Sequence, residues 1–226
     1  KRGTMLRKNN QSISAGDGST NIIAGRDVTL FVRNDVPTEL VDQKAKEEVD
    51  TLRRSRFFPE FDCTGASLRL GRRLSEGELS GGSDEIRGAA LAWCARLLSR
   101  SGEFERAEKF LDIAKSLADS AEAKIAEAFI ISQNGDKASA LQVLAGIDSD
   151  TSRSAGLMIA IHHDGAESAL RWMTDIGRTA DDLDSDGKSL LLVHKLQLGR
   201  WNDVAETLAA LTEADFVEAP SLHHLA

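Results

Sequence analysis

A long stretch without proline is the strongest constraint on the fold of this chain. The only prolines are Pro37, Pro59 and Pro220, so residues 60–219 contain none. Proline interrupts helices because it lacks a backbone N–H and its ring clashes with the preceding turn. Apolar residues recur through this stretch at steps of three and four, the period of an amphipathic helix. We therefore expect a mainly α fold in which helix follows helix.

Four glycines divide the proline-free stretch at a regular interval. Gly102, Gly135, Gly165 and Gly199 each follow one helical pattern and precede another, at spacings of 33, 30 and 34 residues. A period of this length is typical of repeat proteins built from helix pairs, in which each pair buries its apolar face against the next. A four-helix bundle would give a similar pattern and stays an alternative.

The sequence around the first two glycines resembles the tetratricopeptide family. That family has a small residue in the first helix of each repeat, a glycine in the turn and alanines in the second helix. The matching residues are Ala95, Gly102, Ala107 and Ala114 in one unit and Ala128, Gly135 and Ala140 in the next. The resemblance covers residues 84–150, whereas residues 151–213 share only the period. It implies an α-solenoid of helix-turn-helix repeats.

The resemblance also implies a type of binding. First helices of such repeats line a concave groove that holds a peptide or helix of a partner protein. Transferred position by position, the residues facing this groove would be Arg96, Ser99, Phe129 and Ser132. The family's clamp for a peptide terminus needs several Lys and Asn residues, and only Arg96 is present here. We expect a protein or peptide partner whose class stays open.

Residues 11–33 belong to another structural class. They are rich in β-branched residues, glycine and small polar residues, which predicts short strands separated by tight turns. So small a β segment is marginal in water by itself and needs a cover. We favour pairing between copies of the chain, with docking on its own helices and disorder as alternatives. The residues expected to be buried in such a homo-oligomer are Ile13, Ile22, Val28, Leu30 and Val32.

The predicted organisation has four parts. Residues 1–36 form the β segment, of which residues 1–4 precede the first methionine and are left out of the reasoning. Residues 37–82 form a helical lead-in and residues 83–219 the repeats. Residues 220–226 are the start of a further segment or a truncation. The stretch "IIAGRDV" resembles glycine-rich elements near the starts of bacterial multidomain proteins, some of them linked to anti-phage defence.

The lead-in begins with a helix after Pro37 that ends in three arginines, Arg53, Arg54 and Arg56. Cations are favourable at the negative end of a helix, so we interpret them as a solvated helix terminus. A nucleic-acid site would draw on the same three residues together with Arg69, Arg72 and Arg73. The net charge of −8 argues against that option and against a membrane surface, because both polyanions repel an acidic protein.

The stretch from Asp182 to Gly187 has the spacing that opens a calcium-binding loop, but Val193 stands where the bidentate glutamate is needed. The following Gly187-Lys188-Ser189 matches only the tail of a phosphate-binding loop. Asp184, Ser185 or Asp186 can instead cap a helix. The paired histidines at 162–163 and 223–224 diverge by about 100° on a helix and cannot chelate one ion together.

These observations predict no active site, so we expect a protein that is not an enzyme and binds no cofactor or metal. Cys63 and Cys94 lack a catalytic or metal-binding motif and suit reduced thiols in the cytoplasm. The predicted function is a protein interaction and assembly module, a scaffold that also self-associates. The alternative is the sensor region of a larger bacterial effector enzyme whose catalytic domain lies beyond residue 226.

Overall fold

A computed structural model describes residues 36–56, 58 and 60–218 of the chain. The chain divides into the units Lys1–Pro37 and Thr38–Ala226, and the helices below belong to the second. Within the described residues the fold is entirely helical, which confirms a mainly α protein. The strands expected in residues 11–33 and the segment expected after residue 219 lie outside the described residues.

Eleven α-helices follow one another in the described part of the chain, with a short 3-10 turn at Ala180–Asp182 before the ninth. They are α1 (Thr38–Ser55), α2 (Cys63–Ser75), α3 (Asp84–Arg100), α4 (Phe104–Leu117), α5 (Ala121–Gln133), α6 (Lys137–Ala145), α7 (Asp150–Asp164), α8 (Ala166–Asp175), α9 (Ser185–Gln197), α10 (Trp201–Ala209) and α11 (Glu213–Glu218).

The four periodic glycines lie in the turns between helices, as the spacing predicts. Each connects a helix to its successor, from α3 and α4 at Gly102 to α9 and α10 at Gly199. All four have a positive φ, for example +81° at Gly102 and +91° at Gly135. Side chains other than glycine rarely adopt this conformation, so glycine is the residue that lets each helix reverse into the next.

Consecutive helices pack as pairs, and the pairs pack on one another. Within pairs, α3 contacts α4, α5 contacts α6, α7 contacts α8 and α9 contacts α10. Between pairs, α3 contacts α5, α5 contacts α7 and α7 contacts α9. The helix α2 packs on α3, and α1 packs on both α2 and α3. Small residues permit this close packing. The alanines that match the tetratricopeptide pattern are all completely buried: Ala95, Ala107, Ala114, Ala128 and Ala140.

The apolar core continues from one pair to the next. Four clusters of buried side chains succeed one another, and neighbouring clusters draw on the same helices: one spans α1 to α5, the next α5 to α7, the third α7 to α9 and the last α9 to α11. In the last pair Trp201 is an exception among the apolar residues, because it is 68% exposed. Trp201 is the first residue of α10, and burial begins one turn later at Val204.

The polar stretch before α9 is a helix start, as predicted, and Asp184 is the residue that caps it. Its carboxylate accepts a hydrogen bond from the backbone N–H of Gly187 at 2.9 Å. Gly187 lies where α7 and α9 cross, because a Cβ there would come within 2.2 Å of Ser154 Oγ. The stretch therefore fixes the position of α9 against α7 through a cap and a close contact.

Candidate functional site

Three arginines surround the ring of Trp93 in α3. The guanidinium carbons lie 5.5 Å (Arg53), 5.0 Å (Arg56) and 4.8 Å (Arg96) from the ring centroid. Arg53 lies in the last turn of α1 and Arg56 directly follows that helix, whereas Arg96 follows Trp93 by one turn of α3. Distances below about 6 Å place each cation within range of the negative face of an aromatic ring. We refer to these three residues as the arginine cluster.

The end of α1 is joined to α9 by an ion pair across the arginine cluster. Arg56 Nη2 pairs with Asp186 Oδ1, and the two side chains are only 8% and 5% exposed. The interpretation of Arg53, Arg54 and Arg56 as a solvated helix terminus is therefore wrong for Arg56. The Arg56 guanidinium points toward the start of α9, whereas Arg54 is exposed and Arg53 is half-buried.

The four residues predicted to face a groove are all buried, with at most 4% of their surface exposed. Ser99 Oγ donates to Arg96 O of its own helix at 2.9 Å, and the Arg96 guanidinium carbon lies 4.6 Å from the centroid of the Phe129 ring. Ser132 Oγ lies 3.0 Å from Nε2 of His163 in α7. These four side chains, which we expected to face an open groove, are thus packed within and between helices. Their role in binding a partner stays a prediction.

The Arg96 guanidinium lies between two rings in a nearly dry environment. It contacts Trp93 of its own helix and Phe129 of α5, and its Nη2 is 3.5 Å from Met158 Sδ of α7. Its Nε is buried and has no hydrogen-bond partner among the described residues. Burial lowers the pKa of Arg96 to about 10, and the neighbouring Asp186 carboxylate opposes this decrease. The group remains charged at neutral pH.

A cavity of about 110 Å³, which we call the Arg96 cleft, opens beside this guanidinium. Residues of α1, α3, α5 and α7 contribute to its wall. The lining residues are Arg53, Ala92, Trp93, Arg96, Glu122, Ile125 and Thr151. The cleft therefore combines an aromatic ring, two guanidinium groups and one carboxylate, a composition suited to recognising a polar group beside an apolar one.

A larger cavity of about 540 Å³ lies between α6, α7 and α8 and is mainly apolar. Trp172, Met173 and Ile176 of α8 form one of its walls. The two arginines that line it already have carboxylate partners, since Arg153 pairs with Asp148 and Asp150, and Arg178 pairs with Asp182. The two arginines of this cavity are therefore engaged within the chain.

Neither cysteine is an activated thiol in the part of the chain that the structure describes. Burial raises the pKa of the Cys94 thiol to about 12, which leaves it protonated, and burial also raises the pKa of Cys63. A thiol is nucleophilic only as the thiolate. Within residues 36–218, apart from the two undescribed positions, no three His, Cys, Asp or Glu residues are grouped to hold a metal ion. No described helix has the length and hydrophobicity needed to cross a bilayer.

Trp93, Met158 and Asp186 belong to the site although the sequence does not single them out for binding. The local pattern indicates helix packing for Trp93 and Met158 and helix capping for Asp186. One signal is present in the sequence: Trp93 precedes Arg96 by three residues, which places an aromatic ring and a cation on one face of a helix. No local pattern in the sequence indicates that Arg53 and Arg56 contact Trp93.

The comparisons with known proteins identify no relative of this chain. No family model matches the sequence, and no curated protein or solved structure is significantly similar to it. The functional assignment accordingly depends on the geometry of the site.

Proposed function

We propose that this chain is a non-enzymatic interaction module that binds a segment of a partner protein. In this proposal the helix pairs form an α-solenoid of repeats resembling the tetratricopeptide family, and the partner lies against the first helices of the pairs. Support comes from the glycine turns with positive φ and from the contacts of α3 with α5, α5 with α7 and α7 with α9. The proposal assigns no catalytic step to the chain.

One observation carries the binding proposal: side chains from successive first helices meet at the Arg96 guanidinium, which lies beside the half-buried Trp93 ring and an open cleft. Trp93 and Arg96 come from α3, Phe129 from α5 and Met158 from α7. Tryptophan and arginine are the residues that most often contribute the largest share of binding energy at protein interfaces. An aromatic ring that stays partly accessible beside a cleft can receive an apolar side chain of a partner.

The proposal extends to assembly and location. The N-terminal strands, through Ile13, Ile22, Val28, Leu30 and Val32, would join copies of the chain and so present several binding sites together, which increases avidity for a multivalent partner. The two cysteines are free, a state that suits a reducing compartment such as the cytoplasm.

Selection of peptides from a random displayed library tests the binding proposal even while the natural partner is unidentified. The full chain serves as bait, and the affinity of the selected peptides is measured by fluorescence anisotropy. We expect Trp93→Leu to weaken binding by at least about tenfold, the loss typical of an interface residue that dominates affinity. Trp201→Leu is the matched control, because Trp201 is exposed on α10, away from the cleft.

Thermal unfolding of both variants shows whether the helices remain intact. Failure to select any peptide, or equal effects of the two tryptophan substitutions, would contradict the proposal that the face around Trp93 binds partners.

A further inference from the structure

The second helices of two neighbouring pairs leave a space between them. Both α6 and α8 pack on α7, and the apolar cavity of about 540 Å³ lies between these three helices. Sites for small molecules usually measure roughly 300–1,000 Å³. A helix about 10 Å wide would fill this volume with little more than one turn, so the cavity is too small for a folded element of a partner. We refer to it as the Trp172 cavity.

A glycine contributes the α7 side of the Trp172 cavity. A Cβ at Gly156 would lie 3.5 Å from the Trp172 ring of α8 and 3.8 Å from Leu141 of α6. Side chains of two helices therefore converge on a position of α7 that has no side chain of its own. Any residue longer than alanine at this position would extend toward them, so Gly156 keeps the space between α6 and α8 open.

The α8 wall of the cavity has the composition of a site for an aromatic group. Trp172 is half-buried, Met173 is buried and Ile176 is 47% exposed. An aromatic ring can stack on tryptophan, and a thioether sulfur makes favourable contacts with the edge of such a ring. An occupant would also remove the accessible parts of Trp172 and Ile176 from water, which is favourable for apolar surface.

The charges at the Trp172 cavity disfavour an anion. Its lining residues include one carboxylate, Asp148, and two guanidinium groups, Arg153 and Arg178. Arg153 pairs with Asp148 and Asp150. Arg178 pairs with Asp182, whose backbone oxygen also accepts a hydrogen bond from Arg153 Nε at 2.8 Å. Two positive and three negative charges thus face one another, and an anionic ligand would lose its hydration without gaining an unpaired cation.

We infer that the Trp172 cavity binds a small uncharged molecule with an aromatic ring system. The ring system lies against Trp172 and Met173 and covers Ile176, while both arginines keep their carboxylate partners. The inference goes beyond the proposed function and does not rest on it, because the Trp172 cavity and the Arg96 cleft have no lining residue in common. It gives the chain a second site, for a small molecule.

Naphthalene-2-carboxamide is a probe of this class, and titration calorimetry with the full chain measures its affinity. We expect saturable binding with a Kd below about 1 mM. Naphthalene-2-carboxylate has the same rings and one negative charge, and it should bind at least about tenfold more weakly because no unpaired cation receives that charge. The saturated decahydronaphthalene-2-carboxamide should bind about two- to tenfold more weakly, since it cannot make ring–ring contacts.

Two alanines of α6 provide matched variants. Both are exposed, but Ala145 lines the cavity and Ala138 does not. Ala145→Phe should weaken binding of naphthalene-2-carboxamide by about tenfold or more, because the added ring takes up space that the ligand needs. Ala138→Phe should leave the affinity unchanged. Circular dichroism shows whether each variant is folded; if Ala145→Phe is not, Ile176→Trp takes its place, since Ile176 is a partly exposed residue of the same cavity.

The outcomes separate this inference from the proposed function. Absence of saturable binding of naphthalene-2-carboxamide, or binding that Ala145→Phe does not weaken, overturns the inference. Equal affinity for the carboxylate or for the saturated analogue overturns the inferred class of ligand. If the probe does not bind and Ala145→Phe lowers the molar mass in light scattering, a second copy of the chain occupies the cavity and the inference is wrong. Failure to select Trp93-dependent peptides refutes only the proposed function.

Discussion

At the level of single residues, the ion pair between Arg56 and Asp186 makes two opposing contributions to the free energy of folding. Removing two charges from water is expensive, and their attraction compensates only when both partners are present. Both side chains are nearly inaccessible, and Arg56 also lies 5.0 Å above the Trp93 ring centroid. Loss of either partner therefore leaves the other charge desolvated, and loss of Asp186 leaves it on Arg56 beside an aromatic ring.

Asp186→Ala should destabilise the chain by about 3 kcal/mol, as expected when one member of a buried pair is removed. Urea denaturation followed by circular dichroism measures this difference. Lys115→Gln, which breaks the more exposed Lys115–Glu127 pair between α4 and α5, should have a far smaller effect because water screens that pair. Equal losses for the two substitutions would refute the assignment of Asp186 to a buried pair.

Two helical glycines should respond in opposite directions to the same substitution. A Cβ at Gly71 would lie 2.2 Å from the Phe110 ring, so Gly71→Ala should cost about 1–3 kcal/mol through overpacking. A Cβ at Gly156 would lie 3.5 Å from the Trp172 ring, an ordinary contact, so Gly156→Ala should stabilise α7 by about 0.5–1 kcal/mol. Denaturation midpoints of the two variants, compared with the parent chain, give the sign of each effect.

At the level of elements, a polar cluster holds α11 against α9. Asp215 in α11 accepts hydrogen bonds from Ser185 Oγ at 2.9 Å and from Lys188 Nζ at 3.0 Å, both in α9, and from the backbone N–H of Thr212 at 2.8 Å. Burial by itself raises the pKa of Asp215, but these hydrogen bonds together lower it below the ordinary value. The ionised carboxylate is therefore the form that fixes α11.

The contribution of Asp215 to stability should depend on pH. A carboxyl group with a lowered pKa in the folded state stabilises the fold above its unfolded pKa of about 4 and loses this effect as the pH falls through the folded value. Unfolding free energies of the parent chain and of Asp215→Asn should differ at neutral pH and converge in acid. A difference independent of pH would indicate that the packing of the side chain, and not its charge, holds α11.

The helices can be predicted from the sequence because their signals are local. Apolar periodicity, the glycines at the turns and the polar start at Asp184 each act within a few residues, and the structure has the predicted helix boundaries there. The site is less predictable, since it depends on side chains that are distant in sequence. Nothing near Arg56 indicates that its partner is Asp186, which follows 130 residues later. For that reason, the residues next to Arg56 in the sequence predict only a solvated cation.

At the level of the whole molecule, the proposed assembly through residues 1–35 is the prediction that most changes what the helical region can do. Light scattering of the full chain and of a version starting at Val36 measures it. We expect a defined oligomer for the full chain and a monomer for the shorter one, with unchanged helical circular dichroism. If both versions are monomers, self-association through Ile13, Ile22, Val28, Leu30 and Val32 is wrong.

The Arg56–Asp186 pair has a further consequence during synthesis of the protein. A ribosome adds about 5–20 residues per second, so Asp186 leaves the catalytic centre roughly 7–26 seconds after Arg56. Until then α1 and α3 can pack only with a guanidinium that lacks its final carboxylate. The segment after α1 therefore emerges with a local positive charge at Arg56, and Asp186 neutralises this charge only when α9 arrives.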